Sequence, residues 1–147
     1  MITLATGTRD DIRVAAEFLR AKYQETYDDA TEELDPYEDR VCHNLLAGGT
    51  LFLDNDLGLA MLSSGFNPLR GNRRENNLDG VYIIPEKRKS LAGGRFMHDI
   101  FALIHGDLTV SAVYMRAGDE ISKKRFKIVR NVYEYKGDGD ELALHQS

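Results

Sequence analysis

A chain of 147 residues, 42% hydrophobic and 29% charged, has the length and balance of one ordinary globular domain with a sizeable core. No apolar run approaches the roughly 18 residues of a membrane span, and no charged-then-apolar leader stands at the start, so a cytoplasmic protein is expected. Cys42 is the single cysteine, which excludes an internal disulfide, and no Cys/His spacing points to a metal such as zinc.

The net charge of −5 conceals an asymmetry. Residues 10–39 hold eleven acids against Arg13, Arg20 and Lys22, whereas residues 70–130 hold thirteen of the nineteen bases. Such a chain can meet an anionic cofactor with one part and a cationic acceptor with another; a merely solvated surface is the plainer alternative.

Ile2 to Ala5 reads as a first strand. Thr8 then sits as an N-cap before Arg9-Asp10-Asp11, and Ile12, Ala15, Ala16, Leu19 and Tyr23 recur at helical spacing, predicting a helix over about 9–25. The acidic stretch Glu25 to Glu33 is poor in apolar anchors and reads as a loop. Asp35-Pro36-Tyr37-Glu38 predicts a second helix with Asp35 as N-cap, a buried stripe of Val41, Leu45 and Leu46, and a stop at Gly48-Gly49. Thr50 to Leu53 and Leu57 to Ser64, joined by Asp54-Asn55-Asp56, form a hairpin pattern. Asn67-Pro68 and Arg70-Gly71-Asn72-Arg73-Arg74 break it; the cations there are a weak nucleic-acid signal without interleaved aromatics, and the overall acidity argues against such a partner.

The organising stretch is DGVYIIPEKRKSLAGGRFMHDIFALI, Asp79 to Ile104. Val81 to Ile84 is a strand pattern that stops at Pro85, and Lys87-Arg88-Lys89-Ser90 is a basic turn. Phe96, Met97, Ile100, Phe101, Leu103 and Ile104 then follow at helical spacing behind Ala92-Gly93-Gly94. A strand feeding such a turn into a helix aims unpaired N–H groups and a positive dipole end at one spot, which suits an anion. A fifth strand is expected over Leu108 to Met115, a short helix near Glu120 to Lys124, and short strands around Phe126 to Val129 and Val132 to Tyr135. A single domain over 1–136 with a polar tail at 137–147 is the expected organisation, and an exposed final strand would suit a homodimer.

The run Val-Tyr-Ile-Ile-Pro-Glu-Lys-Arg, with Ala92-Gly93 before an amphipathic helix, resembles the acyl-CoA motif of the GNAT superfamily of N-acetyltransferases, in particular short bacteriophage-type members. That signature is Arg or Gln-x-x-Gly-x-Gly/Ala at the head of a helix. Arg88 falls on the Arg and Gly93 on the second Gly/Ala, while Leu91 stands at the first Gly. The resemblance covers about residues 2–135. It implies an α/β (α+β) fold, a mostly antiparallel mixed sheet flanked by helices on both faces, and transfer of an acetyl group from acetyl-CoA to an amine in a ternary complex. It further implies that backbone groups around Ile83 and Ile84 pair with the pantetheine amides. The N–H groups from Arg88 to Gly94, Ser90, Ala92 and Gly93 included, would hold the pyrophosphate, with charge from Arg88, Lys89 and Lys87.

Thioester-to-amine transfer also needs a neutral amine, an oxyanion donor and a proton for the leaving thiolate. In the family a tyrosine four residues before a Gly-Phe pair often supplies that proton; here the pair is Arg125-Phe126, and Ile121 stands at the tyrosine position. Tyr114 is the alternative acid, Asp79 and Glu75 are candidate bases, and Ser122 is a weaker candidate. The acceptor would be a small-molecule amine or a protein lysine. Two alternatives stay open: a catalytically inactive binding or structural protein on the same fold, and an enzyme using another acyl group.

Overall fold

The computed structural model describes residues 3–4, 8–104 and 107–110. In chain order these form β1 (Thr3–Leu4), α1 (Arg9–Thr26), α2 (Asp35–Leu46), β2 (Thr50–Asp54), β3 (Gly58–Asn67), β4 (Arg73–Ile83), α3 (Leu91–Leu103) and β5 (Asp107–Val110). Single 3-10 turns at Pro68–Arg70 and Pro85–Lys87 flank β4. The expected short helix, the last strands and the 137–147 tail lie outside the described residues.

The five strands lie side by side in the order β1-β2-β3-β4-β5. Every pairing is antiparallel except β4 with β5, which run parallel with Glu75 opposite Asp107 and Leu78 opposite Val110. The sheet is therefore mixed and mostly antiparallel, as expected. Each face carries its own core. Leu51, Leu53, Leu59 and Met61 bury one face against Ala15, Ala16 and Leu19 of α1 and Tyr37 and Val41 of α2. Phe52, Ala60, Leu62 and Leu78 bury the other against Phe96 and Ile100 of α3. Alternation along β2 and β3 sends successive side chains to opposite cores, which is why both strands are apolar almost throughout.

β4 obeys that alternation only with an interruption. Met61 lies opposite Gly80 and Leu62 opposite Leu78, so Asp79 is an extra residue, a β-bulge. The bulge shifts the phase by one residue. Leu78 faces the α3 core, whereas Tyr82, an even number of residues further on, faces the α1 and α2 core. Near the bulge Asn44 of α2 donates its side-chain amide to the Leu62 carbonyl at 3.4 Å.

α1 forms as its sequence dictates. Thr8 Oγ1 accepts from the Asp11 N–H at 3.2 Å, and Asp10 and Asp11 occupy the first turn. α2 departs from expectation at both ends. Its cap is Leu34, whose carbonyl accepts from the N–H groups of Tyr37 and Glu38, and Asp35 is already helical with no capping bond. The buried stripe is Tyr37, Val41 and Asn44, with Leu45 partly buried; Leu46 is 88% exposed. Positions 37, 41 and 44 follow the helical repeat, and one further residue carries Leu46 round to solvent. The helix stops at Gly48, whose φ of +84° few other residues adopt. β4 starts at Arg73, well before the Val81 where its apolar pattern begins, because the β3–β4 hairpin continues through polar pairs such as Ser63 with Asn77 and Ser64 with Asn76.

Candidate functional site

The end of β4, the 3-10 turn and the start of α3 form one tightly bonded corner. Ser90 caps α3: its Oγ accepts from the Gly93 N–H at 3.2 Å and donates to the Lys87 carbonyl at 2.7 Å. The Ser90 carbonyl accepts from the Gly94 N–H at 3.2 Å. The N–H groups of Arg88 and Ser90 donate to the carbonyls of Pro85 and Lys87. Of the run expected to cradle phosphate, Arg88, Ser90, Gly93 and Gly94 thus already donate within the chain. The N–H groups of Leu91 and Ala92 lie ahead of the first intrahelical bond.

The two glycines differ in purpose. A Cβ on Gly93 would lie 2.3 Å from the Lys87 carbonyl oxygen, so this glycine lets α3 pack on the turn. A Cβ on Gly94 would meet nothing within 4 Å, and Leu91 is a solvent-exposed residue of ordinary helical backbone that requires no glycine. Lys87, Lys89 and Arg95 are exposed around this helix start, and no acid stands in its first turn. Free amides, a dipole end, cations and open space at Gly94 together fit a pyrophosphate.

Arg88 stands at the centre of the corner. Its Nε donates to the Ile83 carbonyl at 2.8 Å, its two terminal nitrogens hold both carboxylate oxygens of Glu25 at the end of α1, and its guanidinium carbon lies 5.3 Å from the centre of the Tyr82 ring. The bond to Glu25 raises the Arg88 pKa above its ordinary value. Burial, with the Glu25 charge next, raises that of Tyr82.

The Ile84 N–H donates to the Leu57 carbonyl at 2.9 Å, and the Ile84 carbonyl accepts from the Lys87 N–H. Antiparallel alternation then turns the backbone groups of Tyr82 toward β3 and those of Val81 and Ile83 toward the opposite edge of β4. An extended chain docking on that edge would meet Val81 and the Ile83 N–H; Ile84 is committed inside the hairpin.

Asp79 and Glu75, the two candidate bases, occupy different places. Asp79 is exposed on the bulge. Glu75 accepts from Arg70 at 2.8 Å and from Asn67 at 3.1 Å, and it lines an open polar cleft of about 340 Å³ with Ser63, Ser64 and Asn77. That cleft lies at the opposite end of β4, about 25 Å from Ile83 by strand rise. Asp79 has a neighbour that sequence reasoning missed. Lys22, in the last turns of α1, brings its Nζ to 3.7 Å from where a Cβ on Gly80 would lie. Burial lowers the Lys22 pKa to about 8, and the Asp79 charge opposes part of that shift.

The structure therefore gathers Ile83, Arg88, Lys89, Ser90, Ala92, Gly93 and Gly94 at one corner, with Asp79 further up the strand and Glu75 at the far end. Tyr114, Ile121, Ser122 and Arg125-Phe126 lie outside the described residues. Lys22, Glu25 and Val81 complete the arrangement. The excess of acids near Glu25 was the one sequence signal pointing toward a partner for the basic turn. Among the described residues no cluster of His, Cys, Asp or Glu could hold a metal ion, and no helix is long and apolar enough to cross a membrane.

No protein-family profile and no curated protein sequence matches the chain. Solved structures do. A possible acetyltransferase from Clostridium difficile 630 is similar with a TM-score of 0.67 at 20% identity, over 94% of this chain and 97% of that one. A GCN5-related N-acetyltransferase from Ralstonia eutropha JMP134 gives 0.60 at 17% identity, over 92% and 99%. A predicted acetyltransferase with acetyl-CoA from Clostridium acetobutylicum gives 0.59 at 17% identity, over 92% and 96%. The likeness is one of fold.

Proposed function

We propose that this chain, which has the fold of GNAT-type N-acetyltransferases, binds acetyl-CoA across the β4–α3 corner and passes the acetyl group directly to an amine. The observation that carries this reading is the start of α3: amides of Leu91 and Ala92, open space at Gly94, and Lys87, Lys89 and Arg95 around one helix N-terminus with no acid in its first turn. Those groups would hold the pyrophosphate. Val81 and the Ile83 N–H, on the outer edge of β4, would pair with the pantetheine amides as a neighbouring strand would. Bound there, acetyl-CoA supplies the activated acyl group; the chain orients it and manages protons.

At the acyl end Asp79 is the base best placed to take a proton from an incoming amine, because the bulge carries it on the same strand that holds the cofactor. Exposed acids beyond α1, among them Asp28 and Asp29, favour a cationic acceptor, a protein lysine or a small polyamine-like amine.

One observation favours a second reading, a binding protein without catalysis: Ile121 stands at the position where the resemblance implies a proton-donating tyrosine. The two readings separate in one experiment. Thermal unfolding is followed with and without acetyl-CoA, and thiol release is then measured with a panel of amines. A ligand at a hundred times its Kd adds about 2.7 kcal/mol. A rise in unfolding temperature with amine-dependent thiol release supports the transferase, a rise without release supports the binding protein, and no rise at millimolar ligand removes both.

A further inference from the structure

We propose that Lys22 is itself an acceptor: the chain acetylates this side chain from acetyl-CoA bound at its own β4–α3 corner. The inference rests on the reading of that corner as an acyl-CoA site. Direct transfer needs an amine beside a carboxylate at the acyl end, and among the described residues Lys22 and Asp79 form such a pair.

The placement follows from three features. Lys22 follows Leu19 by three residues on α1, so its stem runs over the same sheet face that Leu19 buries. On that face Nζ settles beside Gly80, 3.7 Å from the place a Cβ would take, an ordinary contact distance. Gly80 is the residue next to the bulged Asp79, three residues or about 10 Å up the strand from Ile83, whose N–H is on the docking edge. Burial also helps the chemistry. A pKa of about 8 leaves on the order of a hundredfold more neutral amine near pH 7.5 than an ordinary lysine has.

The step balances without any further reagent. Neutral Lys22 Nζ attacks the thioester carbonyl carbon; a C–N bond forms and the C–S bond breaks. The proton lost by nitrogen passes to Asp79 and on to solvent, and the departing thiolate takes one from solvent, giving an amide and a thiol. The product has lost its charge and its reach toward Asp79, so the modified chain would present a blocked acceptor position. Self-acetylation is thus a brake on any transfer to a second molecule.

The test is intact-mass and peptide-mapping spectrometry on the full chain incubated with acetyl-CoA, alongside thermal unfolding. The expected result is one acetyl group per chain, at Lys22 before the other lysines, suppressed by excess free CoA and absent from Lys22→Arg. Lys22→Arg should still show the acetyl-CoA-dependent rise in unfolding temperature. A chain that is stabilised by acetyl-CoA yet stays unmodified at Lys22 overturns this inference and leaves the cofactor site standing. Modification at Lys22 that free CoA does not suppress also overturns it, as plain chemical reactivity. Absence of any stabilisation removes the cofactor site and the inference together.

Discussion

Arg88 and Glu25, 63 residues apart in the chain, meet as a two-point ion pair that fastens the end of α1 to the turn before α3. The Arg88 side chain is 21% exposed and that of Glu25 42%, so the pair is neither dry nor fully screened. Its planar fork geometry uses what arginine offers and lysine does not. The same carboxylate also neutralises the cation that the sequence motif assigns to phosphate. On the proposed reading, cofactor and Glu25 would therefore be rivals for one guanidinium.

That rivalry gives two readouts of opposite sign. Glu25→Gln should lower folding stability by about 1 kcal/mol, since a charge-assisted two-point contact becomes a neutral one. The same variant should bind acetyl-CoA more tightly, as Arg88 is released. Denaturant titration reads the first and ligand-dependent unfolding the second. A loss of both would show that Glu25 only builds the corner. Arg88→Ala should lose both stability and affinity, and Arg88→Lys should recover little of either.

The neighbouring glycines make a matched control. Gly93→Ala drives a methyl against the Lys87 carbonyl and should cost about 1–3 kcal/mol. Gly94→Ala places its methyl in open space on a helix and should gain up to about 1 kcal/mol. If Gly94 keeps the helix start open to phosphate, the stabilised variant will nonetheless show a smaller acetyl-CoA shift. Urea midpoints with and without ligand measure both effects.

Ser90→Ala removes the acceptor of the Gly93 N–H and the donor to Lys87. A cost of about 1 kcal/mol is expected from the lost cap. The effect should appear as a lower urea midpoint with an unchanged slope, because the rest of the fold is untouched.

Lys22 makes stability depend on pH in a defined direction. Its folded-state pKa of about 8 lies below the ordinary 10.5, so folding disfavours the charged form. The penalty is complete below pH 8, shrinks as pH rises toward 10.5 and is absent above it. Lys22→Met should therefore be the more stable chain at pH 7, by about 1 kcal/mol once solvent screening is allowed for, and its advantage should fade by pH 10. Paired thermal melts between pH 6.5 and 10 check the sign. An advantage that grows with pH would contradict the buried-amine description.

Local chemistry made much of this fold legible. The Thr8 cap, the hairpin turn at Asp54-Asn55-Asp56, the Gly48 stop and the strand–turn–helix run from Val81 are each set by residues close in sequence. What escaped was set at a distance. Leu46 belongs to an apolar run, yet helix phase turns it outward. Arg73 and Arg74 read as loop, because their strand character comes from pairing with Asn67 and Phe66. The bulge was hidden for a subtler reason: Asn76, Leu78, Gly80 and Tyr82 are buried at perfect two-residue spacing although they serve both faces. At the site, the basic turn and helix start were readable. The partners Glu25 and Lys22 were not, since a helix twenty residues into the chain meets a strand near residue 80 only after folding.

Asp79 carries a consequence of another kind. Its side chain is exposed, so many residue types would fit there, and no residue of β3 stands opposite it. Removing it would close the bulge and leave Gly80, Val81 and Tyr82 opposite Met61, Ala60 and Leu59, on the faces they already take, with regular alternation from Leu78 onward. Replacement and deletion at this one address would then both leave the two cores facing as they do. What the extra residue adds is a local twist and, on the proposed reading, a carboxylate that the packing of the strand does not require.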